Sequence, residues 1–213
     1  MLTPVEQFLF ILLALLAVGA TYNGFREMYL IINRGEGKLY LDRLPQRAFK
    51  ALRVYLTQNT TLKTRRISSL FHLGIVWGFT YYFLVNVADG LKGFIPGFLD
   101  WLENLGVVYS LYRLIGDVLS IVVLIGVAYF LLRRFVLPNK KELEYHDNVL
   151  LHPKVKAGGI KVDSLVVGVF ILLHIGARFL GESVYVAEHG ADVFMPFATL
   201  VSPIWSGLSG DGL

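Results

Sequence analysis

The sequence predicts an all-α integral membrane protein, a bundle of four transmembrane helices. Of its 213 residues, 55% are hydrophobic and 17% are charged, whereas a soluble domain carries about a quarter charged residues. Four apolar stretches are each long enough to cross a bilayer, which takes about 20 helical residues. Lys and Arg are concentrated in two of the connections between these stretches. Cysteine is absent, so the chain cannot supply thiolate ligands to an iron–sulfur cluster.

The first predicted span covers about residues 5–22 and extends to residue 32 if Arg26 reaches the headgroups. Glu6 precedes its apolar core and no Lys or Arg does, so we interpret this span as an uncleaved anchor rather than a signal peptide. The other three spans cover about residues 67–87, 114–137 and 164–184, all within a single membrane domain at 1–213.

The distribution of basic residues predicts the orientation of the chain. Ten Lys and Arg residues lie from Arg26 to Arg66 and seven from Arg133 to Lys161, which leaves three elsewhere. Because connections rich in Lys and Arg stay in the cytoplasm, we expect the N-terminus to lie outside. Residues 185–213 are then an outer loop or half-helix.

Residues 45–56 form an amphipathic pattern within the first basic connection. Arg47, Lys50 and Arg53 share one helical face, and apolar side chains occupy the other. We expect a helix that lies along the inner membrane surface, with its basic face toward anionic headgroups. An acidic protein partner is the alternative, and no nucleic-acid partner is expected.

Ionisable side chains within spans need a specific reason, since hydrocarbon does not solvate them. His72 lies in the second span and His174 in the fourth. Asp163, His174, Arg178 and Glu182 fall within an arc of about 100° on the fourth span. We expect this polar stripe to face the bundle interior, a neighbouring helix or a cofactor. Arg178 and Glu182 form an i, i+4 ion pair or belong to a quinone or proton site.

Neutral imidazole is the usual axial ligand of a b-type haem. His72 is the leading candidate, and His174, at a depth that differs by about 8 Å, is a second ligand or a residue that supports one. A packing role is the alternative for both. Asp117, near the outer end of the third span, is a candidate quinone or proton-relay residue. His146 and His152 match no metal-binding spacing.

Four segments carry a resemblance to a known family: RRISSLFHLGIVWGF, LIGDVLS, FLLRRFVLP and ARFLGE. On these segments the chain resembles the cytochrome b-like membrane part of heterodisulfide-reductase-related iron–sulfur oxidoreductases, which include ETF:menaquinone oxidoreductases. It is distantly similar to the cytochrome b (gamma) subunit of respiratory nitrate reductase.

The resemblance implies a subunit of a quinone-linked oxidoreductase in a prokaryotic plasma membrane. Such a subunit passes electrons through haem b between menaquinone and the iron–sulfur clusters of a cytoplasmic protein or domain. Electron-transfer flavoprotein is a further candidate partner. His72 matches the haem histidine of the family's second helix, and Arg65 and Arg66 are candidates for binding the haem propionates.

The resemblance also implies a fifth helix that supplies the opposing haem ligand. We therefore expect a fifth helix from outside this sequence to complete the bundle. The alternative function is a haem-free anchor or assembly subunit of a respiratory complex.

The predicted topology can be tested with single cysteines, because the chain has none of its own. Cysteine introduced at Asn139 should be protected from an impermeant thiol reagent in intact cells, whereas cysteine at Gly97 should react. Lysis should make Asn139→Cys reactive. Labelling of Asn139→Cys without lysis would contradict the four-span orientation.

Overall fold

The computed structural model describes residues 2–35, 42–63, 65–137, 152–153 and 155–206. Throughout these ranges the secondary structure is helical, without strands, and four helices are long and apolar enough to cross a membrane. The predicted all-α bundle of four helices of spanning length is confirmed. The outside N-terminus and the fifth helix stay predictions, and His146 and residues 207–213 lie outside the described residues.

The four long helices exceed the predicted spans at one or both ends. Each contains 29 or 30 residues, or about 43–45 Å, which matches a bilayer with its headgroups. They extend beyond the apolar stretches because the helix continues into polar flanks. The long helices are α1 (Pro4–Ile32), α4 (Arg66–Phe94), α6 (Val107–Phe135) and α7 (Ile160–His189), and the short ones are α2 (Leu44–Thr57), α3 (Asn59–Leu62), α5 (Phe98–Glu103), α8 (Pro196–Val201) and α9 (Pro203–Ser206).

The chain divides into two compact units, and the first comprises Met1–Arg53 and Asn86–Asn104. Within it, α1 starts with a capping box in which the Glu6 carboxylate accepts from the Thr3 backbone N–H at 2.8 Å. The Leu2 N–H donates to the Gly93 carbonyl at 3.2 Å. No residue of α1 is buried, and within this unit the Phe10 ring contacts the Phe94 ring at 5.4 Å between centroids.

The second unit comprises Val54–Val85 and Leu105–Leu213, and its core forms where α4, α6 and α7 meet. Val123 is fully buried there, beside Tyr82, Val127 and Ile175. Glycines allow the helices to approach closely. A Cβ built at Gly78 would overlap Val123, and others at Gly126 and Gly168 would lie 2.9 Å from Ile75 and 2.7 Å from Leu131.

Hydrogen bonds and an aromatic stack align α4 with α6. Near the start of α4, Arg133 of α6 donates to the Ser68 hydroxyl, and Phe71 stacks on Tyr129 at 4.1 Å between ring centroids. Farther along, the hydroxyl groups of Tyr82 and Ser120 lie 2.5 Å apart. We call the end where α4 and α7 begin and α6 ends the basic end, after Arg66, Arg133, Arg134 and Lys161.

The last turn of α2 and helix α3 lie against α4. The Trp77 indole N–H donates to the Leu56 carbonyl at 2.9 Å, and the hydroxyl groups of Tyr55 and Thr80 are 2.6 Å apart. Thr80 is about 20 Å along α4 from its start. The end of α2 therefore lies beside the middle of α4, where the terminal carbonyl and the indole N–H satisfy each other.

Gly78→Ala should destabilise the protein by about 1–3 kcal/mol, because the new methyl group overlaps Val123. In detergent, the melting temperature should fall by about 2–4 °C for each kcal/mol. Gly90→Ala in the same helix is the matched control, since a Cβ there meets nothing within 4 Å. Combining Gly78→Ala with Val123→Ala should restore part of the lost stability. Equal melting temperatures for Gly78→Ala and Gly90→Ala would contradict the close α4–α6 contact.

Candidate functional site

A cleft of about 480 Å³ opens at the basic end of the second unit, between α4, α6 and α7. Its size is within the usual range for small-molecule and cofactor sites. The exposed His72 imidazole lines the cleft, with its ring edge-on to Phe130 at 6.5 Å between centroids. The apolar walls comprise Ile75, Val127, Phe130, Leu131, Val167 and Ile171.

The charged groups of the cleft favour an anionic ligand. Arg133, Arg134 and Asp163 line it together, so two guanidinium groups face one carboxylate. Nε of Arg134 is buried and has no hydrogen-bond partner among the described residues. Arg134 as a whole is half-buried, and a guanidinium group binds carboxylates through two parallel hydrogen bonds. A ligand that carries carboxylates would suit the two guanidinium groups.

These residues fit a haem b. An imidazole nitrogen can bind the iron, the apolar walls suit a porphyrin, and the two arginines suit its propionates. Described residues form no group of three or more His, Asp or Glu side chains that could hold a metal ion. A porphyrin supplies four nitrogens itself, so that it needs protein ligands only at the axial positions.

The arginines at the cleft differ from those singled out in the sequence. Arg65 and Arg66 are exposed at the start of α4 and do not line the cleft, whereas Arg133 and Arg134 of α6 do. The sequence signal for Arg133 and Arg134 was the pair of arginines at the end of the third predicted span, in the segment FLLRRF. The positive-inside rule accounts for that pair through topology alone, so the sequence offered no separate reason to assign it to a site.

The residues of the polar stripe of α7 lie in three different environments. Asp163 lines the cleft, while His174 is exposed outside it and stacks on Phe170 at 6.0 Å between centroids. Arg178 and Glu182 form an ion pair at 3.1 Å, with 25% and 37% of their side chains exposed. Residues buried on α7 occupy a different arc, comprising Gly168, Ile175, Phe179, Ser183 and Val186. The stripe therefore flanks the packed core of the bundle.

Asp117 caps the short helix α8. Its two carboxylate oxygens accept hydrogen bonds from the backbone N–H groups of Phe197, at 2.7 Å, and Ala198, at 3.0 Å. These N–H groups belong to the first turn of α8, which has no intrahelical acceptors for them. Asp117 itself is only 5% exposed. Both oxygens are thus engaged in holding α8 against α6.

Residues 190–206 fold onto α6 and α7 at the end opposite the basic end. Arg113 forms an ion pair with Asp192 at 2.5 Å, and the Trp205 indole N–H donates to the Ser183 hydroxyl at 2.7 Å. Met195 and Ala198 are buried in the resulting contact. The described part of the predicted outer segment therefore contains two short packed helices, α8 and α9.

Comparison with known proteins gives no match: no family model, curated protein or solved structure matches the chain. The resemblance to iron–sulfur oxidoreductases therefore stays a prediction based on four sequence segments.

Replacing Asp117, which caps α8, should weaken the attachment of α8 to α6 without unfolding the helix bundle. Asp117→Ala should lower hydrogen-exchange protection at Phe197 and Ala198 by about tenfold, the effect of losing a cap worth ~1–2 kcal/mol. Asp117→Asn, which keeps one acceptor oxygen, should give a smaller effect. Asp163→Ala removes a carboxylate elsewhere and should leave these amides unchanged. Unaltered protection in Asp117→Ala would contradict the capping role.

Proposed function

We propose that this multi-pass membrane protein is an electron-transfer subunit of a quinone-linked oxidoreductase. It holds a b-type haem in the cleft at the basic end and works with menaquinone in a prokaryotic plasma membrane. One observation carries the proposal: an imidazole and two guanidinium groups line a single apolar cleft.

Each part of the cleft has a distinct task in this proposal. His72 would hold the iron through an imidazole nitrogen, and Phe130 packs against the His72 ring. Arg133 and Arg134 would hold the propionates. The apolar walls exclude water. When bound, the haem supplies a one-electron carrier.

A second ligand to the haem would come from another helix. Among the described residues that line the cleft, His72 is the single histidine, and His174 is exposed outside it. We therefore propose that a fifth helix, from outside this sequence, covers the cleft and supplies the second ligand. An iron–sulfur protein or domain docks at the basic end, where Arg65 and Arg66 are exposed. Electron-transfer flavoprotein is the candidate electron donor to this iron–sulfur protein or domain.

A quinone headgroup fits the partly exposed pair Arg178–Glu182, on the flank of α7. The two groups are 3.1 Å apart, so together they offer a hydrogen-bond donor to a quinone oxygen and a carboxylate that accepts a proton. We propose this pair as the quinone or proton site.

The haem assignment is tested by comparing His72→Ala with His174→Ala in the purified complex. His72→Ala removes the axial nitrogen, so the haem should be lost or become high-spin. His174→Ala is the matched control, because it removes an exposed imidazole from a spanning helix outside the cleft. It should keep the haem and change at most its midpoint potential. Visible spectra and a haem-to-protein ratio measure both variants.

Three results would count against this function. Absence of sharp visible bands in the reduced wild-type complex would favour the haem-free anchor. An unchanged spectrum in His72→Ala would move the haem to another site. Loss of haem from His174→Ala but not from His72→Ala would exchange the roles of the two histidines.

A further inference from the structure

Side chains of α4 and α6 meet at a serine hydroxyl group beside the cleft. The Ser68 oxygen accepts a hydrogen bond from Nη1 of Arg133 and lies 3.3 Å from the Tyr129 hydroxyl oxygen. Tyr129 and Arg133 are four residues apart on α6, so they share one face of that helix. Ser68 therefore contacts two neighbouring side chains of α6 at once, and one of them is a guanidinium group of the cleft.

Ser68 is half-buried and supports the cleft from outside it. Among the described residues, Arg133 lines the cleft and Ser68 does not. A guanidinium group carries five N–H donors in a rigid plane, and the hydrogen bond to Ser68 engages one of them. The contact thus fixes the orientation of the guanidinium group through a single donor.

Tyr129 has a fixed position of its own. The Phe71 ring of α4 stacks on the Tyr129 ring at 4.1 Å between centroids, and the Phe130 ring lies edge-on to it at 5.2 Å. Phe130 in turn contacts the His72 ring. One cluster of rings therefore supports the imidazole of the cleft directly and its guanidinium group through Ser68.

We propose that Ser68 positions Arg133 to bind a carboxylate group of the cofactor in the cleft. The inference rests on the proposed function, in which Arg133 would hold a haem propionate. Arginine has many rotamers, and each long side chain that a ligand immobilises lowers the binding free energy gained. The hydrogen bond to Ser68 reduces this loss, because it orders the guanidinium group before a ligand binds. Ser68 is a positioning residue, since it acts through Arg133.

A purely structural role of Ser68 makes a different prediction. A hydrogen bond that only joined α4 to α6 would affect every ligand of the cleft alike. Positioning of Arg133 affects only those ligands that carry free carboxylates, because a guanidinium group recognises a carboxylate through charge and paired hydrogen bonds. Two porphyrins that differ only at the propionates therefore separate the two roles.

The experiment compares two serine variants of the purified complex. Ser68→Ala removes the contact to Arg133. Ser164→Ala is the matched control, because Ser164 lines the cleft but donates its hydroxyl group to the Ile160 carbonyl at 2.7 Å. Each complex is stripped of haem and titrated with haem b or with haem b dimethyl ester, in which both propionates are blocked. Absorption spectra measure binding, and the melting temperature in detergent reports folding.

Ser68→Ala should lower the affinity for haem b by about three- to tenfold, the factor that corresponds to immobilising one long side chain on binding. Its affinity for the dimethyl ester should equal that of the wild type, and Ser164→Ala should bind both porphyrins like the wild type. In an Arg133→Gln background, Ser68→Ala should have no further effect on haem b affinity, because the residue through which it acts is gone.

Tyr129→Phe provides a second, milder variant. It removes the hydroxyl group beside Ser68 and keeps the ring that stacks on Phe71. We expect a smaller loss of haem b affinity than in Ser68→Ala, again without a change for the dimethyl ester. This variant decides the question if Ser68→Ala does not fold.

Four outcomes would overturn the proposal. Equal losses for haem b and its dimethyl ester would show that Ser68 only joins the two helices. Unchanged haem b affinity in Ser68→Ala, or in Tyr129→Phe if Ser68→Ala does not fold, would exclude the positioning role and leave the haem site in place. A further loss on adding Ser68→Ala to Arg133→Gln would mean that Ser68 acts independently of Arg133. Failure of the wild type to bind either porphyrin would overturn the proposed function and the positioning role with it.

Discussion

Hydrocarbon offers no hydrogen-bond partners, so each polar group of a spanning helix has to be satisfied by another part of the protein. In the second unit, this constraint pairs groups that are distant in sequence. Tyr82 of α4 meets Ser120 of α6, Trp77 of α4 meets the end of α2, and Asp117 of α6 meets the start of α8. Each of these contacts also fixes one element against another, so that satisfying polar groups determines much of the packing.

Close helix contacts shape the candidate site. Ile75, Leu131 and Gly168 all line the cleft, and all take part in the contacts that glycine makes possible, between Ile75 and Gly126 and between Leu131 and Gly168. Their positions are therefore set by packing rather than by a ligand. A cleft with such walls is largely preformed, which reduces the conformational entropy lost when a rigid cofactor binds.

The positive charge of the cleft favours an anionic group. Arg133 and Arg134 line it beside apolar walls, where a low dielectric strengthens the interaction of a guanidinium group with an anion. A cofactor that carries propionates suits this environment.

The sequence by itself determined the fold class and the four helices of membrane-spanning length that the described residues contain, because length and hydropathy are local properties of a segment. It also predicted the Arg178–Glu182 pair, since one helix places residues i and i+4 together. It singled out His72 and His174 as ionisable groups in apolar spans, but it could not tell that only His72 lines a cleft. Tertiary structure decided that point. It likewise brought Arg133 and Arg134 to the cleft in place of Arg65 and Arg66, and joined Asp117 to an amide 80 residues away. The physical reason is that hydropathy specifies which groups leave water, whereas the packing of separate helices decides which group each one meets.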